Sequence, residues 1–208
     1  MRTWARLATV FFMFLFSLLM ILWINAGSEG AEIPSALSEV RETIENLKKI
    51  VSDPKLKGEK NKDARRARIK SEILSRMDLG EMAKRSLGRH WKNLSDLERQ
   101  EYLKVFPEYI QYVYRKMIFE SVEFGESANI RFVKERVDGE FAEADIVIDS
   151  SPEDINITFK LRLADGHWKA YDLIIEGMSQ VSNLRSQFDR IISKSSFAEL
   201  LKQLRNKT

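Results

Sequence analysis

The chain has 208 residues, with 34 Lys and Arg against 31 Asp and Glu for a net charge of +3, two histidines and no cysteine. The lack of thiols excludes disulfides, Cys-ligated zinc and thiol nucleophiles, and so small a net charge names no nucleic-acid or membrane partner by bulk attraction. The length suffices for one domain with a real core.

Arg2 and Arg6 precede an uncharged apolar run over residues 7–24, followed by the small residues Ala26, Gly27, Ser28, Gly30 and Ala31. This is the layout of a signal peptide cleaved after Ser28 or Gly30. The run is also long enough for an uncleaved inner-membrane anchor. Both outcomes put the body outside the cytoplasm, because Arg2 and Arg6 hold the N-terminus inside. Residues 1–30 are therefore read as signal peptide or anchor, and residues 31–208 as a single domain.

Leu37, Val40, Ile44, Leu47 and Val51 recur three and four apart, predicting a first helix that opens near Pro34-Ser35 and ends at Asp53-Pro54. Residues 55–70 are rich in base, begin as a loop and pass, with Asn61 as N-cap, into a second helix reaching Met77. The basic run suits either a solvated face or a meeting with anionic headgroups or an acidic partner. Asp78 with Glu81, and Ser95 with Glu98, are capping boxes for a short helix stopped by Gly88 and for a long helix to about Ser121. The long helix carries an apolar stripe of Leu97, Leu103, Phe106, Ile110, Val113, Tyr114, Met117 and Ile118, and Pro107 inside it predicts a kink or break.

The period then changes to two. Residues 130–137, 142–148, 155–163 and 168–175 read as strands, the clearest being Ile155, Ile157, Phe159, Leu161 and Leu163 in strict alternation with polar residues. Asp138-Gly139 and Asp165-Gly166 are hairpin turns, so the strands form a four-stranded antiparallel meander. Helix returns over residues 179–193, and Ser196 with Glu199 caps a last helix over 197–204. Helices, sheet and helices in that order define an α+β fold.

Catalytic patterns are weak. His90 and His167 have no partner at metal-ligand spacing, no serine sits in a nucleophile elbow, and no glycine-rich loop follows a strand. Asp172 and Glu176 are the best acid/base pair on offer, and a capping pair at a strand-to-helix junction is the plainer reading. What the pattern supplies is apolar wall. Small Ala142 and Ala144 on one strand, opposite a helix bearing Phe106, Tyr114 and Met117, leave room for a tail-like ligand. Taken alone the alternation favours an ordinary packed core, because periodicity does not distinguish a filled core from a hollow one.

Residues 77–91, MDLGEMAKRSLGRHW, resemble the FDFxxMAxxxLGxxW segment of the MlaC/toluene-tolerance family, and Ser95 to Gln100 with Phe106 resembles the helix that follows it. GHWKAYD from Gly166, IEGMS from Ile175 and NLRSQF from Asn183 are similar to the family signature GxWkvYDvxIEGvSlvxnyRsqF. Met178 stands where the family often has Val, and Leu184 where Tyr is frequent. The resemblance implies a four-stranded antiparallel meander covered by N- and C-terminal helices around an apolar cavity. It also implies a non-enzymatic, monomeric periplasmic shuttle with no cofactor and no metal. Its cargo would be a glycerophospholipid, carried between an outer-membrane lipoprotein complex and an inner-membrane ABC transporter complex. On that reading the tail contacts are Phe106, Ile110, Val113, Tyr114, Met117, Ala144, Ile146, Ile148, Ile157, Phe159 and Leu161. Tyr171, Asp172, Glu176 and Arg185 would fix the strand-to-helix corner. Two rivals stay open: a small apolar-cavity enzyme using Asp172 or Glu176, and a membrane-anchored adaptor that binds protein only.

Overall fold

A computed structural model describes residues 34–124 and 128–207, with the side chains of Tyr114 and of residues 116–124 outside that set. The segment read as signal peptide or anchor, residues 1–30, lies outside the described residues. The described elements are α1 (Ala36–Ser52), α2 (Lys62–Ser75), α3 (Leu79–Leu87), α4 (Asp96–Phe124), β1 (Ile130–Asp138), β2 (Phe141–Ile148), β3 (Ile155–Ala164), β4 (His167–Ile175), β5 (Met178–Ser179), α5 (Gln180–Lys194) and α6 (Phe197–Arg205). The class is α+β as expected.

Local chemistry sets most of the boundaries. Ser35, Asp78, Ser179 and Ser196 each accept a hydrogen bond from the backbone N–H three residues on, and Ser95 and Glu98 close a reciprocal capping box. Each cap satisfies a helix-end donor and contributes about 1 kcal/mol. Asn61 departs from expectation: its side-chain amide donates back to the Lys57 carbonyl at 2.9 Å and does not cap α2. α4 runs unbroken through Pro107, so the predicted break is corrected. The carbonyl deprived of its donor belongs to Leu103, whose side chain is 38% exposed, on a side of the helix where water can replace the missing N–H.

The sheet is antiparallel throughout in the order β1-β2-β3-β4-β5. It has five strands where four were expected. β5 has two residues, paired as Ile174↔Ser179 and Ile175↔Met178, too few to show any alternation. It follows a tight turn in which Glu176 (φ 47°) and Gly177 (φ 74°) both take positive φ, the geometry of a type I′ hairpin. A second edge contact forms where Ala170 N–H donates to Arg76 O at 2.8 Å and Asp78 N–H donates to Ala170 O at 2.9 Å. That bridge ties the end of α2 and the start of α3 to β4.

Two apolar cores result. One lies among α3, α4, α5 and α6 and is built on Tyr102, Phe106, Phe188, Leu184 and Leu200, all 0–2% exposed. Ser86 Oγ donates to Ala83 O, so the Tyr102 hydroxyl, 2.7 Å away, donates to Ser86. Burial pushes the Tyr102 phenol up, which keeps it neutral and fit for that role. The second core joins α1 to the sheet through Ala36, Val40, Ala142, Ala144, Ile146, Leu161 and Trp168.

Gly88 ends α3 at φ 52°, and a Cβ built there would stand 2.9 Å from Arg185 Cδ. The Arg185 Nε donates across this spot to Arg85 O at 2.8 Å, capping the helix end. Gly88→Ala is therefore expected to cost more than ~1 kcal/mol, read as a lower urea midpoint at unchanged m-value.

Candidate functional site

α1 lies across one face of the sheet and is held at several points. Glu135 on β1 accepts from Leu37 N–H at 2.7 Å and from Ser35 Oγ at 2.8 Å. Glu39, 3% exposed, accepts from Trp168 N–H at 2.8 Å, and its other oxygen lies 2.9 Å from His167 Nδ1. Arg41 stacks over the Phe132 ring at 3.8 Å, and Lys48 Nζ donates to Ala128 O at 2.8 Å. Close approach of the helix is possible because the strand beneath presents Ala142 and Ala144, which are 3% and 0% exposed. The space that the small residues were expected to leave for a ligand is thus filled by Ala36 and Val40 of α1.

α1 covers only part of this face. Residues paired across neighbouring antiparallel strands point to the same side, so the register gives the rows Ile146↔Ile157↔Ile175 and Ala144↔Phe159↔Leu173. Going outward from β2, the first member of each row is buried under α1. Ile157, Phe159, Leu173 and Ile175, with Ile155 and Ile148 at the near end, are only partly buried. Among the described residues the result is a partly covered apolar floor on β3 and β4. Leaving each such side chain partly exposed forgoes up to about 1 kcal/mol of hydrophobic stabilisation, which an apolar ligand would restore.

A β-bulge makes this floor continuous. The Asp165-Gly166 hairpin sets Leu163↔Trp168 and Leu161↔Ala170; carried on unchanged, that register would put Asp172 opposite Phe159. Instead the pairing shifts at Lys160/Leu161, leaving Tyr171 as the extra residue and bringing Leu173 opposite Phe159. Asp172 leaves the floor. Its Oδ1 accepts from Val181 N–H at 3.0 Å and its Oδ2 from Ser179 Oγ at 2.6 Å, tying the first turn of α5 to β4. Tyr171 packs edge-on to Phe141 at 6.0 Å, beneath the Arg85 guanidinium at 4.2 Å. Asp172→Ala is expected to lower stability by about 1–2 kcal/mol through the lost cap, measured by chemical denaturation.

The residues predicted to touch a ligand fall into separate places. Ile148, Ile157 and Phe159 lie on or beside the open floor, whereas Ala144, Ile146 and Leu161 lie under α1. Phe106 and Ile110, 0% and 3% exposed, are sealed in the helical core, and Val113 is 41% exposed. The side chains of Tyr114 and Met117 lie outside the described residues. Leu173 and Ile175, which the register places on the floor, were not among the predicted contacts because the bulge interrupts the alternation of β4. The unbroken apolar run Leu173-Ile174-Ile175 directly after Asp172 was the available signal.

The polar groups do not converge on the floor. Glu176 accepts from Asn156 N–H and, at 3.2 Å, from its Nδ2, holding the hairpin turn. His90 Nε2 lies 2.7 Å from Asp189, and that hydrogen bond holds the Asp189 carboxyl below its usual range. Among the described residues no group of three His, Cys, Asp or Glu side chains could hold a metal ion, and no helix is long and apolar enough to cross a membrane. The opposite sheet face has a shallow depression of about 400 Å³ near Lys134, Arg136, Asp145 and Thr158. Arg136 pairs there with Glu143 and Asp145, so charged side chains stand among the apolar Val133 and Val147 of its lining.

An antiparallel meander with one helix seated on part of its apolar face and a helical cluster beside it is a fold that this chain shares with a solved structure. The phospholipid-binding protein from Ralstonia solanacearum, solved in complex with a phospholipid, matches with a TM-score of 0.68 and 18% identity, covering 84% of this chain and 97% of that one. The MlaC protein family profile matches residues 41–206, and the chain belongs to the MlaC family. No curated protein sequence is similar enough to count as a match.

Proposed function

We propose that this protein is a periplasmic carrier that holds a glycerophospholipid with its acyl tails against the open floor of Ile157, Phe159, Leu173 and Ile175. The observation that carries the reading is this half-covered apolar face in a member of a family whose fold is shared by a phospholipid-bound protein. Two tails of about 30 methylenes together would cost on the order of 20 kcal/mol to expose to water, which makes unaided transfer between membranes very slow. A dry, apolar site nearly as favourable as the bilayer makes exchange close to isoenergetic at either end. Direction must then come from the partners, an outer-membrane lipoprotein complex and an inner-membrane ABC transporter complex. No chemical step is needed, and the protein works as a monomer without cofactor.

Mass spectrometry of an organic extract of the purified protein tests the reading. Phospholipid at about one molecule per chain is the expected result, and its consistent absence overturns the carrier.

A further inference from the structure

The charge of the chain is unevenly placed. Residues 55–70 hold eight basic side chains and two acidic ones, a net of +6 in a chain whose total is +3, so everything else sums to −3. Lys55, Lys57, Lys60, Arg68 and Lys70 are exposed. Of the two acids in this segment, Glu59 is paired with Lys62 at 2.6 Å.

The contacts of α2 put this charge at one end of the domain. Its C-terminal end is held at Ala170 by the bridge to Met77. α2 lies antiparallel to α1, since Asn46 meets Glu72 at 3.3 Å and Glu42 meets Arg76 at 3.1 Å. Its N-terminus, roughly 21 Å away at 1.5 Å per residue, therefore lies beside the end of α1. Two short 3₁₀ turns, Pro54–Leu56 and Glu59–Asn61, join them, and Arg65 clasps Leu56 O at 2.9 Å. Near that end Lys48 of α1 reaches Ala128, just before β1 begins at Ile130. Ile130 pairs with Ile148 and Ile148 with Ile155, so this is also the end at which the apolar floor opens.

We propose that this basic end docks on the anionic face of a lipid bilayer and presents the open end of the floor to it. The purpose of docking rests on the carrier reading above, whereas the docking is measured independently of it. The surface suits a bilayer better than a shaped protein partner. Its apolar members are the buried Leu56 and Ile69 and the small exposed Ala64 and Ala67, with no aromatic anchor of the kind that dominates protein interfaces. Exposed lysines spread over turns and a helix can each meet a diffuse anionic layer, where each contributes about fivefold in partition.

The test is sedimentation of the full chain with phosphatidylglycerol-containing vesicles and with pure phosphatidylcholine vesicles. The measured quantity is the difference between the two, because an apolar N-terminal segment would act on both alike. Anionic vesicles are expected to bind more tightly, and 1 M NaCl, which shortens screening to about 3 Å, should erase the difference. Combining Lys55→Glu, Lys60→Glu and Lys70→Glu should weaken anionic binding by at least about 100-fold, the loss of three lysines alone. Combining Lys92→Glu, Lys104→Glu and Lys194→Glu, exposed elsewhere and equal in charge, should weaken it far less. Equal loss in both triple variants, or no preference for anionic vesicles, overturns the proposal. So does salt-sensitive retention on polyglutamate by a chain that ignores the vesicles, which would point to an acidic protein instead. A chain that binds anionic vesicles yet yields no phospholipid on extraction sinks the carrier reading and leaves the docking intact.

Discussion

Phe159→Lys is expected to lower the phospholipid that co-purifies with the protein by more than ~10-fold while leaving the protein folded. Phe159 sits mid-floor between Ala144 and Leu173 and is only partly buried. In the lipid-free protein a lysine there can send its ammonium to water along a flexible stem, so the cost to folding is expected to be about 1–2 kcal/mol. With tails against it the ammonium has no such escape, and an unpaired charge in hydrocarbon costs several kcal/mol. Phe106→Lys is the contrasting variant: at 0% exposure among Tyr102 and its neighbours it should unfold the protein outright. Full lipid content in a folded Phe159→Lys protein would remove the floor from the binding site.

Glu39→Ala should be the most destabilising of the single polar truncations, at about 3–5 kcal/mol, because it leaves the buried Trp168 N–H without its acceptor and unpairs His167 and Arg76. Glu39→Gln keeps a carbonyl oxygen for Trp168 N–H and should lose roughly half as much. Urea unfolding of both variants decides the matter. If Glu39→Ala lies within ~0.5 kcal/mol of the parent, α1 is seated by its apolar contacts alone and the carboxylate clamp is incidental. A loosened α1 would also uncover Ala142 and Ala144, so the same variant should bind more of a hydrophobic dye in the native baseline.

Much of the fold could be read from local signals. Ser35, Asp78, Ser95, Ser179 and Ser196 start helices because a side-chain oxygen satisfies a donor three residues away, an interaction contained within a single turn. The alternation of Ile155 to Leu163 marked β3, and the Asp-Gly pairs marked its neighbours' turns. The departures have equally local causes. β5 is too short to show a period, and Pro107 stands where its missing donor is harmless.

The site was less legible. The spacing of Phe106 and Ile110 predicts an apolar stripe on α4 correctly, but a stripe does not name the surface it meets, and theirs is the helical core. The alanines of β2 suggested a void, yet α1 fills it. The bulge that brings Leu173 onto the floor and turns Asp172 toward Val181 is invisible to a strict period of two.

The sequence by itself determined the α+β class, the capped helices, the strand run and the family signature from Trp168 to Phe188, all of which depend on neighbours within a few positions or on residue identity. Only the tertiary structure decided which part of the sheet stays open. That choice depends on where α1 lands, through pairs such as Glu39 with Trp168, 129 residues apart, and Ser35 with Glu135, 100 apart. Seating across such separations depends on shape and register that no local pattern encodes, and the half-covered floor is what this seating leaves behind.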